Sequence, residues 1–137
     1  MKNFIFLSVL TFLLACGKKE TSNHASSNSV TESQKSFTAL SATELSKIET
    51  GLRKGIKVCD CYKTKSNDFS NVYAVACNVK GGNIAIGVWA LGGSSGIFSV
   101  ELPTSTISDW GVHPDIKLSD DGFQEVMEYV RNKPGCE

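Results

Sequence analysis

Between residues 56 and 102 the chain offers four β-rich stretches separated by little more than turns, and this run constrains the fold more than any other feature. Residues 56–62 alternate apolar and polar side chains. Residues 72–80 place Tyr73, Val75, Cys77 and Val79 on one face at the two-residue period of a strand. Gly81-Gly82 reads as a two-residue hairpin turn, and residues 84–91 return as a nearly all-apolar strand suited to the middle of a sheet. The glycines between 92 and 96 turn the chain into a fourth strand, 97–102. Strands joined this closely pair as antiparallel neighbours, because a parallel pair needs a crossover of about a dozen residues or more. The expectation is a four-stranded antiparallel meander.

Helical patterns flank the meander. Ser41-Ala42-Thr43-Glu44 is a capping box, Leu40 and Leu45 are placed for a hydrophobic staple, and Leu45, Ile48 and Leu52 follow at helical spacing. These predict a helix over 42–54, in which Gly51 costs about 1 kcal/mol relative to alanine. Towards the other end Ser119 is placed to cap a second helix, with Asp120 and Asp121 favourable to its dipole. Phe123, Val126, Met127 and Val130 recur at i, i+3, i+4 and i+7 as one buried stripe, so Met127 reads as core rather than as a copper ligand. Residues 103–118 read as irregular, with a short extra strand around 106–109. The fold class is α+β in the order α-β-β-β-β-α, with both helices on one face of the sheet.

Ahead of this domain stands a different kind of sequence. Lys2 precedes an apolar run over 4–15 that stops at Cys16, and a run of about twelve residues is too short to span a bilayer. Leu13-Leu14-Ala15-Cys16 resembles the lipobox of bacterial lipoproteins. The resemblance implies that residues 1–15 are a signal peptide cut before Cys16 and that acylated Cys16 holds the mature protein to a lipid bilayer outside the cytoplasm. Gly17 stands where an aspartate would resemble an inner-membrane retention signal, which points to the outer membrane, with the domain facing periplasm or cell surface. The inner membrane is the alternative. Residues 18–36 are rich in Ser, Thr and Asn and almost free of large apolar groups, so they predict a solvated tether of about 25 Å average reach. The lipidated N-terminus and tether thus cover 16–36, and one small domain covers 37–137.

With Cys16 assigned to lipid, Cys59, Cys61, Cys77 and Cys136 remain, an even number in an oxidising compartment. Two disulfides are expected. Bonding Cys59 to Cys61 would strain a ring across one residue, which leaves two pairings, and Cys61–Cys77 with Cys59–Cys136 is the one favoured. The competing reading is a thiolate metal or redox site at Cys59-Asp60-Cys61, a C-x-C spacing whose soft sulfurs suit copper(I) or zinc.

From residue 37 onward ten Lys and Arg face twelve Asp and Glu, a balance that does not suggest nucleic acid. Basic residues, including Lys47, Arg53, Lys54 and Lys57, crowd the first third of the domain and acidic ones the last. Gly92-Gly93-Ser94-Ser95-Gly96 matches G-x-S-x-G, with Asp109 and His113 following in hydrolase order, but the predicted strand on its far side conflicts with a strand-to-helix nucleophile elbow. The irregular stretch 103–118 carries the candidate binding residues Asp109, Trp110, His113 and Asp115. No catalytic set, metal ligand set or cofactor is assigned. The functional expectation is a non-catalytic envelope lipoprotein whose domain binds an envelope or secreted protein through 103–118 and the adjoining strand ends. An inhibitor, an immunity protein or an accessory subunit would fit. Metal or redox handling through Cys59 and Cys61, and a small serine hydrolase around Ser94, are the alternatives.

Overall fold

The computed structural model describes residues 35–93 and 96–137. Cys16, the segment before it and the expected tether as far as Gln34 lie outside the described residues, as do Ser94 and Ser95. The compact unit begins at Lys35. Its elements are β1 (Thr38–Ala39), α1 (Ala42–Thr50), β2 (Lys57–Lys65), β3 (Val72–Lys80), β4 (Ile86–Gly92), β5 (Ile97–Ser99), α2 (Leu102–Ile107) and α3 (Phe123–Arg131). The strands form one antiparallel sheet in chain order β1-β2-β3-β4-β5. The chain is therefore an α+β domain built on a meander, with five described strands rather than four. The added one, β1, pairs Thr38 with Lys63 and Ala39 with Tyr62, and two residues are too short for side-chain periodicity to reveal.

The sheet is covered on both faces, which corrects the expectation of two helices on one side. In β3, Ala74 and Ala76 pack with Val88, Ala90, Phe123, Val126 and Val130 beneath α3. Val75 and Cys77 point the other way, joining Trp89, Leu91, Ile48 of α1 and Ile107 of α2. Both parities of β3 are apolar, so both must be removed from water, and one layer of helices cannot do that. The small alanines mark the face on which α3 comes close.

Three local expectations change for identifiable reasons. The segment expected to finish a strand and then run irregularly instead forms α2. Pro103 sits in its first turn, where a missing N–H costs nothing. The hydroxyls of Ser105, Thr106 and Ser108 turn back onto the carbonyls of Leu102, Pro103 and Thr104, and buried Thr104 accepts the Val88 amide at 2.9 Å. No extra strand forms around 106–109; that stretch makes a single bridge, Leu52 to Ser108. The β3–β4 connection is also longer than Gly81-Gly82, since Val79 N–H donates to Ala85 and pairing resumes at Ile86.

The last helix is not capped by Ser119. It begins after Gly122, whose φ of 91° is left-handed and whose N–H donates to Glu125 Oε2 at 2.9 Å. A Cβ at Gly122 would stand 3.1 Å from Thr64 Cγ2 and 3.3 Å from Ala74 Cβ. The acidic residues before it serve loop amides instead: Asp120 accepts from Lys117 N–H and Asp121 from Asn67 N–H. By contrast α1 carries the expected capping box of Ser41 and Glu44 and ends at Gly51.

The two disulfides join Cys59 to Cys136 and Cys61 to Cys77, with Cα separations of 5.5 and 4.1 Å. Between them β2 carries a bulge. Cys59 stands opposite Asn78 and Tyr62 opposite Ala76, so Asp60 and Cys61 together face Cys77. Asp60 absorbs the extra residue at φ 45°, and its carboxylate accepts the Gly135 N–H at 3.0 Å.

Candidate functional site

On the α3 side of the sheet, α3 covers β2, β3 and β4 but leaves Phe98 of β5 to other neighbours. The loop between β2 and β3, the end of β4, and the segment leading into α3 meet around that gap. They enclose an open cleft of about 320 Å³, within the range of small binding pockets. Phe69, Val72, Ala90, Phe98 and Ile116 supply its apolar lining, and Asp68, Ser70 and His113 its polar groups. Ala90 is the cross-strand partner of Phe98, and its single methyl leaves the space that a larger side chain would fill.

Each wall is braced from the backbone. His113 donates its amide to Ser99 O at 3.3 Å, and its ring meets Phe98 edge to face with centroids 4.9 Å apart. The Asp115 N–H donates to His113 Nδ1 at 3.2 Å, so in the neutral ring Nε2 carries the proton and is the donor left for another group. Across the cleft, Ser66 Oγ accepts the Phe69 N–H, and Asp68 Oδ2 accepts the Asp121 N–H at 2.9 Å. Asp121 returns a bond to Asn67 N–H and pairs with Lys35. The Lys35 ammonium, with the Asn67 amide, holds the Asp121 carboxyl below the usual carboxylate range. The β2–β3 loop, the start of α3 and the first described residue of the chain are thereby tied together.

The residues expected to act together in 103–118 are divided by the sheet. Trp110 belongs to the α1 side, where it packs against the core cluster that holds Ile48, Trp89 and Ile107. Its indole lies against Gly51: a Cβ there would stand 2.2 Å from Trp110 Nε1. Asp109 is exposed and fixes the loop through its amide, which donates to Gly51 O at 2.7 Å. His113 alone of the four lines the cleft, with exposed Asp115 bonded to its ring. The cleft residues that sequence reasoning missed, Asp68, Phe69, Phe98 and Ile116, come from three separated segments. Strand alternation could have placed Phe98 on a half-covered face, but nothing local brings residues 68–69 to residue 113.

The two alternatives also meet the structure. Cys59 and Cys61 are bonded to other cysteines, so the C-x-C stretch does not present two thiolates on one face. Among the described residues no group of three or more His, Cys, Asp or Glu is placed to hold a metal ion. Ser94 lies outside the described residues, but the glycine-rich stretch around it connects β4 to β5, strand to strand, unlike a nucleophile elbow. No family model, no curated protein and no solved structure matches this chain. Fold and cleft define it as a disulfide-stapled α+β domain with an aromatic-walled cleft at one end of its sheet.

Proposed function

We propose that this chain is a bacterial envelope lipoprotein, anchored through acylated Cys16 to the outer membrane, whose domain is a non-catalytic module that binds a segment of another protein. An inhibitor of a foreign enzyme, an immunity protein and an accessory subunit of an envelope complex all fall within this class. The anchor is supported by the lipobox-like Leu13-Leu14-Ala15-Cys16, and the compartment by two disulfides in a domain this small.

The observation that carries the binding role is the cleft. Phe98 of β5 and the loop residues Phe69 and Ile116 offer apolar contact, and Asp68 and His113 stand at its walls as orienting polar groups, the usual composition of a recognition pocket. A residue with a short aliphatic diazirine side chain at exposed Ser70, small enough to leave the cleft open, should trap one discrete envelope or secreted protein in intact cells. Ala90→Phe, which fills the cleft floor, should abolish that adduct, and an adduct of unchanged yield would remove the cleft from the reading. Cys16→Ala should release the protein from membranes; continued partitioning would overturn the anchor.

A further inference from the structure

We infer that the cleft takes a cationic segment, an apolar side chain of the partner seated on the aromatic lining with an arginine or lysine beside it at Asp68. This rests on the binding role proposed above and specifies the chemistry of its occupant.

Charge and aromatic surface at this end of the sheet favour the same ligand. Asp68 lines the cleft and keeps Oδ2 on the Asp121 amide, which leaves its other oxygen for a donor. Asp115 lies two residues beyond His113, and Asp120 precedes Asp121. Among the described residues none of these three carboxylates stands within ion-pair distance of a cation. Lys35 is already committed to Asp121 and Glu125. Lys117 is the cation nearest in sequence to Asp115 and Asp120, and its ammonium donates to Pro114 O at 2.6 Å rather than to either carboxylate. Lys65 follows Thr64, which faces Gly122, so by strand alternation it points to the opposite face. The wall of the cleft thus carries one carboxylate, Asp68, with no cation paired to it, and the nearby chain adds Asp115 and Asp120 against the single charge of Lys117. Aromatic faces such as those of Phe69 and Phe98 also attract cations, and a guanidinium best of all, because it can stack.

Size narrows the occupant further. A volume of about 320 Å³ suits one or two side chains rather than a helix laid in a groove, so the ligand is a loop tip or an extended segment. An acidic segment would meet like charge at Asp68, and the same rim disfavours inorganic phosphate.

The test uses the full chain, exported with its disulfides formed and purified in a neutral detergent. Saturation-transfer NMR would compare two blocked pentapeptides, Gly-Arg-Phe-Arg-Gly and Gly-Glu-Phe-Glu-Gly. The arginine peptide should bind about tenfold more tightly at low salt, and the advantage should shrink as ionic strength rises past about 0.15 M. Asp68→Asn, which can still accept the Asp121 amide, should cut that advantage about threefold. Ala90→Phe should abolish binding of both peptides, and Ser70→Trp, a change at an exposed rim position, provides the same test without entering the core. Equal or tighter binding of the glutamate peptide would overturn the charge preference while leaving the cleft as a binding site. Binding of neither peptide, or binding indifferent to both blocking variants, would overturn the cleft itself.

Discussion

Cys59 and Cys61 are separated by one residue, yet their disulfides lie on opposite faces of the sheet. In a regular strand residues i and i+2 share a face. The bulge at Asp60 inserts one extra residue, so Cys61 joins Val58 and Cys77 on the α1 side. Cys59 is left on the side of Tyr62 and α3, where Cys136 arrives. The bonds therefore act on different layers. Cys59–Cys136 closes a separation of 77 residues and Cys61–Cys77 one of 16. On a chain-entropy account these constrain the unfolded state by about 4.5 and about 3 kcal/mol. Urea unfolding of the Cys59→Ala/Cys136→Ala and Cys61→Ala/Cys77→Ala double variants should show losses of that order, the first at least as large as the second. A loss under about 1 kcal/mol for the long bond would show that α3 docks without it.

Gly51→Ala is expected to destabilise the domain. The sequence pattern alone, which places Gly51 inside a helix, predicts a gain of about 1 kcal/mol, but in the structure Gly51 is the C-cap of α1. The added methyl, however, would overlap the Trp110 indole, which packs against the α1-side core and whose carbonyl is held by Ser99 Oγ at 2.7 Å. Overpacking of this kind costs about 1–3 kcal/mol, or a fall of roughly 5–20 °C in melting temperature for a domain of this size. A rise in melting temperature would show that Trp110 is free to move aside.

Trp110→Ala and His113→Ala should separate stability from binding. Removing the indole from the α1-side core should cost about 2–4 kcal/mol. Removing the His113 ring, half-exposed against Phe98, should cost under about 1.5 kcal/mol while weakening capture of the cleft ligand. Thermal melts and the Ser70 crosslink, measured side by side, check both halves of this statement.

The start of α3 offers a sharper contrast. Ser119→Ala should change stability by less than about 0.5 kcal/mol, because Ser119 does not cap the helix. Gly122→Ala should cost about 2 kcal/mol, since it combines a left-handed φ of 91° with a 3.1 Å approach to Thr64. Equal losses from the two variants would mean that the helix starts earlier than Gly122.

Acid should weaken the domain through Glu44 and Asp121. Burial of Glu44 opposes its charge, but the hydrogen bonds from Lys63 and from the Ser41 amide and hydroxyl outweigh it and hold the carboxyl at about 2. Asp121 is held low by Lys35 and the Asn67 amide. Carboxyls depressed in the folded state contribute fully above their unfolded values, about 4 to 4.5, and lose that contribution as pH falls towards 2. Urea midpoints should therefore drop between about pH 4.5 and 2, and Glu44→Gln should flatten part of that limb while lowering stability at pH 7 by about 1 kcal/mol. An unchanged acid limb in Glu44→Gln would assign the loss to other carboxyls.

Much of the frame was legible from local pattern. The capping box at Ser41, the alternation in 72–80 and the stripe Phe123, Val126, Met127 and Val130 each depend on near neighbours, and each appears in the structure as α1, β3 and α3. What was misread depended on distant partners. Residues 103–107 look irregular because Ser and Thr compete with the backbone, and with Leu102 they become α2 once Thr104 is buried against Val88. The cleft was half legible: His113 stood out as the domain's histidine, but Asp68 and Phe69 carry no local mark of belonging beside it.

Order along the chain, the antiparallel connectivity and the parity of the central strand were set by the sequence itself, because they follow from turn spacing and side-chain period. The number of layers was decided by tertiary structure, since apolar parity on both sides of β3 says that two covers are needed without saying which element supplies each. The face each cysteine presents was decided there too. One inserted residue at Asp60 reverses every side chain beyond it, and a bulge is a property of two paired strands, not of either strand alone.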